Sequence, residues 1–159
     1  MLKIIGSAVV ILSATLFGMR KYNAFFERKK ALSEILDGAR KIKTRLLTLR
    51  APLHEIFMDT TAFFENAAKE IAGGVLPEEA VKSTAFKIEA LTREDLVIIE
   101  RFALGLSASS CEGQLSNLSL FITELEGKLA EASADLCGKG KLFVKGSILT
   151  AFAIVLLLI

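Results

Sequence analysis

The sequence predicts an all-α protein, an antiparallel helical bundle flanked by a transmembrane helix at each end. Three observations carry that prediction. Among 159 residues there are only two prolines, and helix-forming residues abound. Ile4–Met19 is a run of sixteen residues without a charge, and Leu142–Ile159 a run of eighteen with Lys145 alone. Between these runs, apolar residues recur at spacings of three and four, the period of helices that bury one face.

The expected domains are therefore a span at 1–19, a cytosolic bundle at 20–141 and a second span at 142–159. A helix crosses a bilayer with about 17–25 mostly apolar residues. The first run reaches that length with Leu2 and the Lys3 stem. The second does so if Lys145 snorkels to the interface. A cleaved signal peptide fits poorly, because "SATLFGMRK" offers no small-residue cleavage site and is followed by cations. Two core helices of a soluble bundle would carry polar stripes, yet residues 147–159 offer only Ser147 and Thr150. Small residues on one face of each run would let the two helices approach closely: Ser7, Ala14 and Gly18 on the first, Gly146 with Thr150 and Ser147 with Ala151 on the second.

Charge gives the orientation. The formal net is +2, but residues 20–45 hold nine basic and three acidic side chains, whereas 46–138 hold seven basic and fifteen acidic, a net of −8. The flanking cations Arg20, Lys21, Arg28, Lys29, Lys30, Lys139 and Lys141 lie inward of the two apolar runs, and Lys145 lies at the inner end of the second. Cations beside a span stay on the cytoplasmic side. The expected arrangement is a membrane hairpin with its middle in the cytosol. Cations so placed are expected to set topology and meet anionic lipid rather than nucleic acid.

Five helices are expected in the middle. The first continues from the membrane with Leu32, Ile35, Leu36, Ala39, Ile42, Leu46 and Leu49 on one face, and ends at Arg50–Ala51 before Pro52. The second starts at Pro52, places Glu55 near its positive end and runs past Phe63, Phe64 and Ile71 to a stop at Gly73–Gly74. The third starts at Pro77, with Glu78 and Glu79 in its first turn and Ala80, Val81, Ala85 and Ile88 inward. "TRED" at Thr92–Asp95 is a capping box that opens the fourth, with Leu96, Ile99, Phe102, Ala103 and Leu106 inward. After a turn at "GLSASSCEG", the fifth carries Leu115, Leu118, Ile122, Leu125, Leu129, Ala132 and Leu136, a heptad pattern. Gly138 and Gly140 are expected to break or bend it before the second span.

The residues that catalysis needs are missing from the pattern. "AGGVLP" has no Lys-Ser/Thr after its glycines, so it is a helix stop rather than a phosphate loop. His54 is the single histidine, and Cys111 and Cys137 stand 26 apart with no C-x-x-C. Neither a metal site nor an acid–base set is predicted, and no cofactor. The chain reads as a non-enzymatic scaffold. A membrane-anchored adaptor or regulator and an anionic-lipid-binding protein are alternatives that composition leaves open.

Several stretches resemble one family. "MLKIIGSAVVILSATLFG" resembles the start of the stage III sporulation protein AB family of endospore-forming Firmicutes. "APLHEIF" and "GGVLPEEAV" resemble its Thr-Pro-Leu stretch and its Gly-to-Glu-Ala turn, and "KGKLFVKGSILTAFAIVLLLI" resembles its ending. In "LTREDLVIIERFALGLSASSCEGQLSNLSLFITELE" the matching positions are Asp95, Gly105 and Gln114. Ala51 departs from the family's Thr, and "SASSCEGQ" lacks the acidic residue that precedes the Gln.

The resemblance implies a fold and partners. The family is similar to the cytosolic domains of F-type inner-membrane platform proteins of type II secretion and type IV pilus machines. Those are six-helix bundles that receive a hexameric ATPase. By resemblance, the chain is a platform of the channel between mother cell and forespore, its bundle on the mother-cell side of the outer forespore membrane. Its partners would be a secretion-type ATPase like stage III sporulation protein AA, other membrane components of the channel and membrane lipids; homo-oligomers stay open. Against that partner, the acidic helix starts Glu78, Glu79, Glu94 and Asp95 are the docking candidates, since a net-negative surface steers a basic one.

Overall fold

The computed structural model describes residues 2–48, 52–106 and 111–158, and all of its elements there are helical. In chain order they are α1 (Leu2–Thr48), α2 (Leu53–Phe57), α3 (Ala62–Ala72), α4 (Pro77–Phe86), α5 (Arg93–Leu106), α6 (Cys111–Asp135), a π-helical turn (Leu136–Gly140) and α7 (Lys141–Leu158). Two compact units form. One is the chain up to Lys29 together with the chain from Glu131 onward; the other is Lys30–Ala130. The expected helix stop at Arg50–Ala51, the turn over 107–110 and the side chain of Ser7 lie outside what is described.

The Lys30–Ala130 unit is an all-α bundle with an aromatic centre. From α1 it takes Leu32, Ile35, Leu36, Ala39 and Ile42, all buried, as the three–four spacing predicts. Phe64 of α3 packs edge-on against Phe57 (5.1 Å), Phe63 (4.8 Å) and Phe102 (6.4 Å), and Phe102 stacks on Phe121 at 4.1 Å and 9°. Each such pair adds about 0.5–1.5 kcal/mol beyond its buried area. Gly38 makes room for this centre: a Cβ there would lie 2.5 Å from the Phe64 ring. Phe121 was not among the expected core positions, because it falls beside the heptad stripe of α6 rather than on it. Gly105 has a similar duty, since a Cβ would meet the Asn117 side chain, which donates to the Phe102 carbonyl at 3.0 Å.

The expected second helix is two helices. The chain leaves α2 at Met58, passes Asp59 in the left-handed region (φ 55°) and re-enters helix at Ala62. The reason is tertiary. Lys41 Nζ donates to the Thr60 carbonyl at 2.7 Å, Arg45 donates to the carbonyls of Met58 and Asp59, and Glu34 accepts the Phe63 N–H at 3.2 Å. Three side chains of α1 thus satisfy backbone groups that a continuous helix would have paired internally. Thr60 adds a local bond to the Phe57 carbonyl, 2.7 Å. The Gly73–Gly74 stop forms as expected: Gly74 has φ +93°, and the Val75 N–H donates back to the Glu70 carbonyl at 3.1 Å.

In the other unit, α1 and α7 run antiparallel. A Cβ on Gly18 would meet Ser147 Oγ and come within 3.2 Å of Val144 Cα. Ala151 is buried, and Phe25 stacks on Phe143 at 6.3 Å. Gly18, Ser147 and Ala151 are among the small residues expected to permit close approach, whereas Gly146 has open space at its Cβ position and Thr150 is exposed. Gly138 and Gly140 do not break the chain, which continues from α6 into α7 through the π-helical turn. Gly140 there lies against Tyr22, whose Cδ2 is 3.2 Å from where a Cβ would stand. Away from the contact, large apolar side chains are exposed, among them Leu12, Leu16, Leu142, Leu149 and Leu156. Among the described residues, no helix is long and apolar enough to cross a membrane.

Candidate functional site

The acidic helix starts have different fates. α4 begins at Pro77, whose fixed φ suits the first helical position, and this puts Glu78 and Glu79 in the first turn. Glu78 is drawn into an ion pair with Lys82 one turn on, 2.7 Å. Glu79 is exposed and has no ion pair among the described residues. At the start of α5 the capping box forms: the Thr92 N–H donates to Asp95 Oδ2 at 2.9 Å, and the Asp95 N–H to Thr92 Oγ1 at 3.3 Å. Asp95 is fully buried. It is a cap and not a surface contact, so the docking idea passes to the other three. Glu94 stays outside, its side chain 75% exposed, and is reached by Lys128 of α6. No group of three His, Cys, Asp or Glu able to hold a metal occurs among the described residues.

The flanking cations also divide. Arg28 was expected to flank the membrane at the surface, but its side chain is 8% exposed and faces Glu131 (3.4 Å) and Asp135 (3.7 Å). A guanidinium withdrawn from water needs carboxylates at close range, and α6 supplies them. Lys139 pairs with the same Asp135 at 2.8 Å. Lys29 is half-buried; Arg20, Lys21, Lys30, Lys141 and Lys145 are exposed. The residue that sequence reasoning missed here is Tyr22, the single tyrosine of the chain. Its signal was available, an aromatic ring beside an apolar run.

Each unit holds a concavity among its described residues. A groove of about 850 Å³ in the α1–α7 unit is lined by Ser13, Ala14, Phe17, Gly146, Ser147 and Thr150, with Lys139 and Phe143 also present. A polar cleft of about 520 Å³ in the bundle lies among Glu34, Asn66, Lys69, Glu70, Thr84 and Lys87. Its carboxylates are occupied. Glu34 caps α3, while Glu70 accepts from Lys87 (2.7 Å) and from Ser83, contacts that hold its carboxyl below the usual carboxylate range. His54 is half-buried on α2, away from these residues in sequence, and Cys137 is an exposed free thiol. The arrangement offers carboxylate and apolar surface for binding.

Comparison with known proteins agrees with this architecture. A solved structure of a stage III sporulation protein AB superposes with a TM-score of 0.58 at 16% identity, covering 69% of this chain and 95% of that one. At that identity the likeness is one of fold. No protein with a curated description matches the chain in sequence. The profile of the family described as "Stage III sporulation protein AB" matches residues 3–159. With the match running through both apolar ends and the bundle between them, this chain belongs to the stage III sporulation protein AB family.

Proposed function

We propose that the chain is a non-enzymatic membrane platform of the mother cell–forespore channel, which docks a secretion-type ATPase and couples it to the membrane complex. The observation that carries the reading is the exposed Glu79 and Glu94 at the starts of α4 and α5, within a stretch of net charge −8. Family membership supplies the sporulation context. An ATPase presenting a basic face would be steered toward these carboxylates, and Glu78 adds a third, half-exposed one.

On this reading residues 1–19 and 142–159 lie in the membrane and the bundle faces the mother-cell cytosol. The exposed leucines of α1 and α7 support it, since lipid solvates large apolar side chains that water does not. The cations inward of both runs support the orientation. Motion of the ATPase during hydrolysis would then reach the membrane complex through this chain.

The test is binding of the full chain, in detergent or nanodiscs, to the cognate ATPase at two salt concentrations. Binding should weaken with salt. Reversing Glu78, Glu79 and Glu94 to Lys should weaken it by about tenfold or more. An equal reversal at Glu55, Glu65 and Glu89 should do much less. Unchanged affinity in the first variant would sink the docking surface.

A further inference from the structure

We infer that Arg20, Lys21, Lys141 and Lys145 form a collar selective for anionic phospholipid. The inference rests on the reading that the ends of α1 and α7 lie in lipid, and goes beyond it by naming a ligand class and its residues. Antiparallel packing sets the levels. Gly18 faces Val144 and Ser147, Tyr22 faces Gly140, and Arg28 faces Glu131 and Asp135. Lys145 therefore stands level with Gly18–Met19, and Lys141 level with Tyr22. At 1.5 Å per residue the four cations occupy a slab about 6 Å thick, comparable to one layer of headgroups.

Within that slab their charge is uncompensated. Residues 1–26 and 136–159 contain no Asp or Glu. All four cations are exposed and have no ion pair among the described residues. The cations farther along the packed helices behave differently: Arg28 and Lys139 are engaged by Glu131 and Asp135. The structure thus separates a neutralised pair from a free quartet of +4.

The ligand needs two parts. Phosphate would satisfy the cations. Immediately beyond the slab lie exposed Leu12, Leu16, Phe17, Leu149 and Phe152, which free phosphate would leave in water. An anionic phospholipid supplies both the charge and the chains. Tyr22 sits in the slab, a ring with an apolar body and a polar tip suited to the headgroup level.

Tyr22 also makes the test direct. The chain has one Tyr and no Trp, so tyrosine emission reports from the collar alone. The full chain is reconstituted into phosphatidylcholine bilayers containing a fraction of lipid brominated near the headgroup, either phosphatidylglycerol or phosphatidylcholine. Brominated phosphatidylglycerol should quench Tyr22 with roughly tenfold higher relative affinity at low salt, and the preference should shrink as salt rises. Changing the four cations together to Gln should remove the preference, changing Lys21, Lys141 and Lys145 to Arg should retain it, and Lys29→Gln should leave it unaltered. Helicity by circular dichroism checks that each variant is folded. Equal quenching by the two lipids overturns the collar while leaving the membrane reading intact. No quenching by either overturns both. Loss of the preference on adding inorganic phosphate at constant ionic strength overturns the phospholipid and reassigns the cations to phosphate.

Discussion

The two units are built from the same helix class and, for α1, from the same helix, yet they are held together by opposite means. The Lys30–Ala130 bundle is packed by large rings: Phe57, Phe63, Phe64, Phe102 and Phe121 meet in one cluster. The α1–α7 unit is packed by what is missing, with Gly18 admitting the backbone of α7, Gly140 admitting the Tyr22 ring, and Ala151 buried. In the first, the large rings and most apolar stripes turn inward, as exclusion from water demands, although Leu76, Phe86 and Leu104 stay exposed and Asp95 is buried. In the second, several leucines point outward and two glycines, Gly18 and Gly140, lie at the contact, while Gly6, Gly138 and Gly146 face open space. Helices solvated by lipid gain little from burying leucine and associate through close backbone approach. The contrast is the one that the proposed placement, a bundle in water and a hairpin in lipid, would produce.

That comparison can be broken at several points. The largest effect is expected from Phe64→Ala, which removes three ring contacts at once. It should cost about 3–5 kcal/mol of bundle stability, seen in denaturant unfolding, with amide protection of α7 retained. Parallel loss in both units would show that the division is not energetic. Next is Gly18→Leu, the mirror experiment. It places a side chain where even a Cβ meets Ser147 and approaches the Val144 backbone. Overpacking of this kind costs about 1–3 kcal/mol, and it should raise amide exchange in α7 while leaving bundle unfolding unaltered.

Smaller effects sharpen the bundle. Thr92→Ala removes half of the capping box and leaves the Asp95 backbone N–H without its side-chain acceptor, while the Thr92 backbone N–H can still donate to the Asp95 carboxylate; about 1 kcal/mol should be lost, read as a shift in urea midpoint at constant slope. The smallest is a pH effect at Glu70. Lys87 and Ser83 hold its carboxyl below the ordinary value of 4.5. A depressed acid stabilises the fold above its unfolded pKa, and the contribution disappears as pH falls through the folded one. Glu70 is partly exposed, so solvent screens the pair with Lys87. Glu70→Gln should therefore lower stability slightly at neutral pH and flatten the acid limb below about pH 4.5 in thermal melts; an unchanged acid limb would remove Glu70 as a contributor.

Local chemistry alone determined a good part of this protein. The inward stripe of α1 from Leu32 to Ile42, the helix start at Pro77, the stop at Gly74 and the Thr92–Asp95 box all follow from periodicity or from backbone preferences of single residues, and the order of motifs along the chain was enough to reach the family. Contacts between distant segments decided the rest. The α2–α3 break depends on Lys41, Arg45 and Glu34, about 13 to 29 positions away along the chain, supplying partners for a non-helical backbone. Asp95 looks like a surface acid until the fold buries it, and Arg28 looks like a flanking cation until Glu131 and Asp135, more than a hundred residues on, arrive beside it. The physical reason is the same in each case. Dihedral preference and hydrophobic period act over a few residues, whereas the fate of a polar group depends on whether folding brings it a partner or leaves it to water.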